Sequence, residues 1–184
     1  GGRSMTCIAG YAEGASIVIG ADSFSTAGCE ALEMADPKVW AASRDVLIGG
    51  AGTPHVLQIA RYDIAEPILA DGVGRALHRW VTEFRARCKA LDRDLDGKDA
   101  QGAWFLMAIR GRFYEVQGSG SVIAQVGAFA TTGCGGAEAR AAMYAMSRFG
   151  GKFSAREMVT IGLEAAAAFN THVRAPFHFV SMDI

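Results

Sequence analysis

The order of strand-like and helix-like segments constrains the fold of this chain more than any other feature of its sequence. Short apolar runs occur close together, separated by tight turns, and two longer segments with helical apolar spacing follow each group of strands. A single strand closes the chain. Strands and helices grouped in separate runs predict antiparallel sheets flanked by helices, because a parallel sheet would alternate strands with helices.

Turn-forming residues separate most of the predicted strands, which is typical of hairpins. A hairpin opens the chain, a polar, glycine-containing connection follows it, and two further hairpins come later. The three hairpins pair residues 6–11 with 16–20, 38–42 with 45–49, and 103–109 with 113–117; further strands are predicted at residues 121–126, 128–132 and 176–184.

The predicted helices have recognisable start signals or an apolar stripe. Thr53 and Pro54 are typical of an N-cap followed by a first-turn proline, and Ser154 with Glu157 is typical of a capping box. The longest helix has apolar residues at three- and four-residue spacing. The four helices are predicted over residues 53–65, 74–91, 135–149 and 154–172, with a charged loop at residues 92–99.

Two antiparallel sheets, each covered by two helices, predict a four-layer αββα sandwich of the α+β class. We expect one domain over residues 6–184. Gly1-Gly2-Arg3-Ser4 is typical of the remnant of a cloning tag, so the natural chain is expected to begin at Met5. Thr6 is then its second residue.

Composition and charge argue against several classes of function. The net charge is −1 with scattered basic residues, which favours neither nucleic acid nor an acidic membrane surface as a partner. No apolar stretch is long enough to span a membrane. The four cysteines lack the spacing of a zinc site or a disulfide framework, so we expect no metal, no cofactor and a reducing cytoplasm.

Thr6 is the candidate nucleophile. A threonine hydroxyl needs a base within hydrogen-bond reach, and a free α-amine with a pKa of about 7.7–8.0 can be that base. Removal of Met5 would give Thr6 this amine. Asp22 directly follows one apolar strand and Lys38 directly precedes another, in adjacent parts of the same predicted sheet, so both are expected beneath Thr6. There the ammonium would favour the deprotonated hydroxyl and the carboxylate would orient the lysine.

Two glycine-rich turns come directly before predicted helices. The first contains Gly50 and Gly52, and the absence of side chains would let a substrate carbonyl approach the Gly50 N–H, our candidate oxyanion donor. The same glycines could instead permit close packing of strand and helix. The second turn, Gly133-Cys134-Gly135-Gly136, could present the Cys134 side chain and backbone amides to the same site.

These residues resemble the proteasome β-subunit family, especially the bacterial HslV peptidase and the smaller bacterial proteasome homologues. The resemblance spans nearly the whole chain and is carried by the order and spacing of its motifs. They are Thr6-Cys-Ile, Ile-Gly-Ala-Asp22, Lys38-Val, Ile-Gly-Gly-Ala-Gly52 and Thr-Gly-Cys-Gly-Gly136.

The resemblance implies a threonine peptidase that forms stacked rings of identical subunits around an inner chamber. It implies Thr6 as nucleophile, Asp22 and Lys38 as its supporting pair, and Gly50 as oxyanion donor. Protein or peptide substrates are implied, with an ATP-dependent unfoldase as a partner for folded ones. The positions that resemble the lining of the family's primary pocket are Ser25, Asp36, Trp40, Ile48 and Gly52.

The sequence departs from the family pattern at two positions. Cys134 stands where the family usually has serine, and Ala168 stands where a supporting aspartate is expected on the last helix, with Thr171 as a nearby hydroxyl. A small-amide hydrolase and a catalytically silent ring subunit therefore remain alternative hypotheses. Cys7 would become the nucleophile only if Thr6 were also removed, and its position in a strand favours a structural residue.

Overall fold

The computed structural model describes residues 6–27, 30–91 and 101–183. The strands are β1 (Cys7–Glu13), β2 (Ser16–Asp22), β3 (Phe24–Ala27), β4 (Glu30–Glu33), β5 (Val39–Ser43), β6 (Val46–Ala51), β7 (Trp104–Ile109), β8 (Arg112–Gln117), β9 (Val122–Ala124), β10 (Phe129–Gly133) and β11 (Phe177–Asp183). The α-helices are α1 (Pro54–Gln58), α2 (Val73–Leu91), α3 (Gly136–Phe149) and α4 (Ala155–Phe169). Residues 1–5 and the predicted loop at 92–99 lie outside the described ranges.

Two antiparallel sheets form the centre of the fold. The first sheet has the strand order β10-β1-β2-β11, and the second has the order β5-β6-β7-β8-β9. The first hairpin pairs Ile8 with Ala21, which brings the start of β1 beside the end of β2. This register determines which side chains meet at the end of the first sheet.

Three apolar clusters correspond to the three boundaries between the layers. Between the sheets, Ile8, Ile17 and Ile19 of the first pack with residues such as Leu106 and Phe113 of the second. One outer cluster joins α3 and α4 to the first sheet, and the other joins α1 and α2 to the second. The predicted αββα sandwich is therefore confirmed.

The polar connection that follows β2 contains two short strands that the sequence pattern did not predict. Residues Phe24–Ala27 and Glu30–Glu33 pair as the antiparallel hairpin β3–β4. Each strand has four residues and few apolar side chains, so the period-two signal is too short to recognise. The hairpin forms a separate two-stranded sheet.

The ends of the helices also differ in places from the prediction. Pro54 begins α1 as expected, but the Thr53 side chain makes no capping hydrogen bond, and a π-helical turn at Ile59–Asp63 continues the helix. The capping box of Ser154 and Glu157 is confirmed. The last helix ends at Phe169 rather than near residue 172. None of the helices in the described ranges is long and apolar enough to cross a membrane.

Candidate active site

A buried charge cluster lies where the first sheet meets the start of β5. Asp22 is the last residue of β2, and Lys38 immediately precedes β5. Thr6, Asp22 and Lys38 are 1%, 0% and 4% exposed. The structure therefore brings together the three residues that the sequence predicted to meet. The prediction that Asp22 and Lys38 lie in the same sheet is wrong, because β2 and β5 belong to different sheets that pack face to face.

The Lys38 ammonium donates to three oxygens. Its Nζ is 3.0 Å from Thr6 Oγ1 and 2.9 Å from Asp22 Oδ2, and it also donates to the Phe24 carbonyl. An ammonium has three N–H groups and no acceptor, so these partners use all of them. The arrangement fits a protonated lysine that donates to the threonine hydroxyl oxygen.

Backbone N–H groups complete the surroundings of Asp22. Cys7 N–H donates to Oδ1 at 2.9 Å, and Phe24 N–H donates to Oδ2 at 3.0 Å. Burial raises the pKa of the Asp22 carboxyl, while the charge of Lys38 and the two N–H groups oppose that rise. A carboxylate with this many donors can remain charged away from water.

Thr6 is closely packed against the end of β10. Gly133 has φ +89°, and a Cβ at this position would overlap the Thr6 carbonyl oxygen, so only glycine fits both the backbone conformation and the contact. Gly135 N–H lies 3.5 Å from the same carbonyl. The glycine-rich turn before α3 thus contributes to the position of Thr6.

Cys134 lies beside the backbone nitrogen of Thr6. Burial raises the pKa of the Cys134 thiol, and the hydrogen bond from the Thr6 backbone N–H to the sulfur opposes this rise. The Cys134 thiol faces Asn170 Oδ1 at 3.7 Å, and Asn170 Nδ2 donates to the Cys134 carbonyl at 3.1 Å. His172 N–H also donates to Asn170 Oδ1, at 3.0 Å. Asn170 is therefore held by several contacts.

Both cysteines near Thr6 are poor candidates for the nucleophile. Cys7 is fully buried, and burial followed by the charge of Asp22 raises the pKa of its thiol. The pKa of the Cys134 thiol is also raised. Since the thiolate is the reactive form of cysteine, neither side chain is prepared for attack at neutral pH.

The structure does not favour Gly50 as the oxyanion donor. Gly50 N–H already donates to the Lys38 carbonyl at 2.9 Å. A Cβ at Gly50 would lie 2.7 Å from Leu57 Cδ2, and one at Gly49 would lie 2.5 Å from Ile8 Cγ2. Little space is left for a side chain at either glycine, which fits the alternative interpretation of this turn, close packing of strand and helix.

The predicted substrate-pocket residues separate into different environments. Asp36, Lys38 and Trp40 line one pocket next to α1. Ile48 is 1% exposed and packs in the core between the second sheet and its helices, but it also lines the adjoining pocket together with Trp40. Ser25 and Gly52 are half-buried outside that lining.

The prediction for the last helix needs a correction. Ala168 is exposed on α4, and Thr171 is exposed in the turn that follows it. Asn170, between them in sequence, contacts Cys134 instead. Asn170 was not recognised as a site residue, because it lay inside the helix predicted to reach residue 172, whereas the helix ends at Phe169. Within the described ranges, the histidines, cysteines and acidic residues form no cluster that could hold a metal ion.

Solved structures share the fold over nearly the whole chain. The chain matches no protein-family sequence model and no curated protein. Thiobacillus denitrificans BPH in complex with epoxomicin is similar, with a TM-score of 0.80, 20% identity, and coverage of 96% of this chain and 98% of that chain. A second structure of Thiobacillus denitrificans BPH has a TM-score of 0.79 and 21% identity, covering 96% of this chain and 97% of that chain.

The eukaryotic HslV from Trypanosoma brucei is also similar, with a TM-score of 0.75, 20% identity, and coverage of 97% of this chain and 99% of that chain. The chain therefore has the fold of the proteasome-like N-terminal-nucleophile hydrolases. This is the fold implied by its resemblance to the proteasome β-subunit and HslV-like family.

Replacing Lys38 by methionine would leave the Asp22 carboxylate buried without its ionic partner. We expect the free energy of unfolding to fall by about 3–5 kcal/mol at neutral pH. The pKa of Asp22, already raised in the folded state, should rise further. The folded variant then binds this proton more tightly than the unfolded chain, so its stability should decrease as the pH rises through the folded-state pKa.

Urea denaturation at several pH values and one protein concentration measures this effect. The double variant with Asp22→Asn and Lys38→Met is the control, because it has no buried carboxylate, and it should recover part of the stability without the added pH dependence. Equal stability of the wild type and Lys38→Met would contradict a coupled pair.

Proposed function

We propose that this chain is a threonine peptidase that uses Thr6 as its nucleophile after residues 1–5 have been removed. The observation that carries the proposal is the 3.0 Å contact between Lys38 Nζ and Thr6 Oγ1, with the same ammonium bound to the buried Asp22. A buried cation beside a hydroxyl oxygen favours the deprotonated, nucleophilic form of that hydroxyl.

The α-amine of Thr6 is the proposed base. Lys38 already uses its three N–H groups as donors and has no lone pair available, which argues against Lys38 as the proton acceptor. In the unprocessed chain, the Thr6 nitrogen belongs to a peptide bond and cannot accept a proton. Removal of the preceding residues would therefore create the base and activate the enzyme.

The proposed reaction has two stages. Thr6 Oγ1 attacks the substrate carbonyl carbon while its proton passes to the α-amine of Thr6. The tetrahedral intermediate then collapses as this protonated α-amine gives the proton to the leaving amine. This leaves an ester on Thr6. Water then attacks the ester while the α-amine takes a proton from the water. Transfer of this proton to Thr6 Oγ1 releases the carboxylic acid product.

Cys134 and Asn170 are proposed to position the α-amine. The sulfur accepts a hydrogen bond at the Thr6 nitrogen, and the thiol faces the Asn170 amide oxygen. With its own proton directed to Asn170, the sulfur acts as an acceptor for the amine. The amine lone pair then remains available for the threonine hydroxyl.

We also propose a homo-oligomer in stacked rings, located in the cytoplasm and supplied with folded substrates by an ATP-dependent unfoldase. The supporting observation for assembly is the set of large apolar side chains exposed on α3 and α4. Tyr144, Phe149 and Phe169 are 54%, 87% and 81% exposed. A second subunit that packed on this helical layer would remove these side chains from water.

Substitution of Thr6 tests whether its hydroxyl is the nucleophile. The chain should be expressed from Met5, and intact mass should confirm that Thr6 is N-terminal. We expect this protein to cleave fluorogenic peptides and Thr6→Ala to lose at least about 10³-fold in kcat/KM. Thr6→Ser keeps a hydroxyl and is the matched control, for which measurable activity is expected.

Epoxomicin is a suitable covalent probe because the similar Thiobacillus denitrificans BPH was solved in complex with it. Peptide mapping should locate its adduct on Thr6 in the wild type and find none in Thr6→Ala. Full activity of Thr6→Ala would overturn the assignment of Thr6 as the nucleophile. Hydrolysis of small acyl amides without hydrolysis of any peptide would favour the amidase hypothesis.

Substitution of Asn170 tests the position of the amine. We expect Asn170→Ala to lower kcat by about ten- to a hundredfold with little change in KM, because the base loses its orientation. Asn170→Asp adds a negative charge that should raise the pKa of the α-amine, so the acid limb of the pH–rate profile should move to higher pH. Wild-type kcat in Asn170→Ala would contradict this role.

The oligomeric state can be measured by analytical ultracentrifugation. We expect the processed chain to sediment as a multi-subunit assembly, and the double substitution Phe149→Ser and Phe169→Ser to shift it toward smaller species while circular dichroism stays unchanged. A monomeric wild type at micromolar concentration would contradict the ring.

A further inference from the structure

The pocket beside Lys38 contains an arginine that the proposed mechanism does not use. The pocket is small and open to solvent, and its lining includes Met34, Asp36, Lys38, Trp40, Leu57 and Arg61. Because Lys38 also contacts Thr6 Oγ1, a substrate carbonyl attacked by Thr6 would place its neighbouring side chain close to this pocket.

Arg61 is held in place on this pocket wall. One of its N–H groups donates to the Pro37 carbonyl at 3.1 Å. The guanidinium carbon lies 5.8 Å from the centre of the Trp40 ring and 5.3 Å from that of the Tyr62 ring. Contacts with aromatic faces at these distances stabilise the cation and limit its motion.

Arg61 has no ionic partner among the described residues. The ion pairs that these residues form are Lys38 with Asp22, Arg79 with Asp71, and Arg87 with Asp63. Two carboxylates share a lining with Arg61, Asp36 in this pocket and Glu66 in the adjoining one. Both are exposed, so water screens their charges more than that of the half-buried Arg61.

Lys38 does not compete with Arg61 for an acidic ligand. Its charge is compensated by Asp22 at 2.9 Å, and its three N–H groups are already used. Arg61, in contrast, has further N–H groups in a planar fork that matches a carboxylate. Apolar residues of the same pocket, including Met34 and Leu57, can contact the methylene groups of a substrate side chain.

We propose that Arg61 makes this peptidase selective for substrates with a glutamate on the acyl side of the cleaved bond. The inference rests on the proposed function and adds its substrate class. Glutamate combines two methylene groups for the apolar part of the pocket with a carboxylate for Arg61. The residue is thus a specificity-determining residue and takes no part in bond cleavage.

The proposal is tested with two fluorogenic peptides. They differ only in whether glutamate or glutamine precedes the leaving group, and these two side chains have nearly the same shape. The leaving group is a dye, so only residues on the acyl side vary. For the wild type, we expect kcat/KM for the glutamate peptide to exceed that for the glutamine peptide by about three- to tenfold.

Arg61→Gln should reduce this ratio to about one, and Arg61→Lys should retain part of it. Asp36→Asn removes the competing carboxylate and should raise the ratio. Each ratio is measured within one protein preparation, so a loss of folded enzyme cancels and does not imitate a change in selectivity.

The outcomes separate this inference from the proposed function. A wild-type ratio of one or less, or a ratio that Arg61→Gln leaves unchanged, would overturn the role of Arg61 while the peptidase activity stands. No cleavage of any peptide by the processed enzyme would overturn the proposed function and this inference with it.

Discussion

The buried ion pair between Asp22 and Lys38 is the interaction on which the site depends. Asp22 ends a strand of the first sheet and Lys38 immediately precedes a strand of the second, so the pair joins the two central layers. Removing two charges from water is favourable only when the surroundings satisfy their hydrogen bonds, and here backbone groups of Cys7 and Phe24 complete the set. The remaining ammonium N–H is then directed at Thr6. The same contacts that make burial of the pair possible thereby determine where the hydroxyl lies.

Much of this arrangement could be predicted from the sequence because it follows from the ends of strongly patterned strands. Asp22 directly follows an apolar run and Lys38 directly precedes one, so both could be placed at strand ends. Their meeting depends on the packing of two different sheets, which the sequence pattern does not show. The hairpin β3–β4 could not be recognised because its short strands carry little apolar periodicity. Asn170 could not be assigned because its contact with Cys134 depends on where α4 ends, and helix ends are poorly specified by residue type.

Gly50 illustrates a different limit of sequence reasoning. A glycine that allows a ligand to approach the backbone and a glycine that allows another side chain to approach it look the same in a sequence. Leu57 and Phe105 occupy the space where a Gly50 side chain would be, and the Gly50 N–H belongs to the hydrogen-bonding pattern beside β5. The packing requirement is therefore sufficient to explain this glycine without a catalytic role.

Lys38 and Arg61 line the same pocket and carry the same charge, but their surroundings assign them different roles. Lys38 is enclosed and neutralised by Asp22, so its field acts mainly on the adjacent Thr6 hydroxyl. Arg61 is held by aromatic rings and a carbonyl, which limit its motion without cancelling its charge. A substrate side chain therefore experiences the arginine far more than the lysine. Under the proposed selectivity, one uncompensated charge would distinguish between substrates while the chemistry of the site stays the same, because similarity of fold leaves the substrate open.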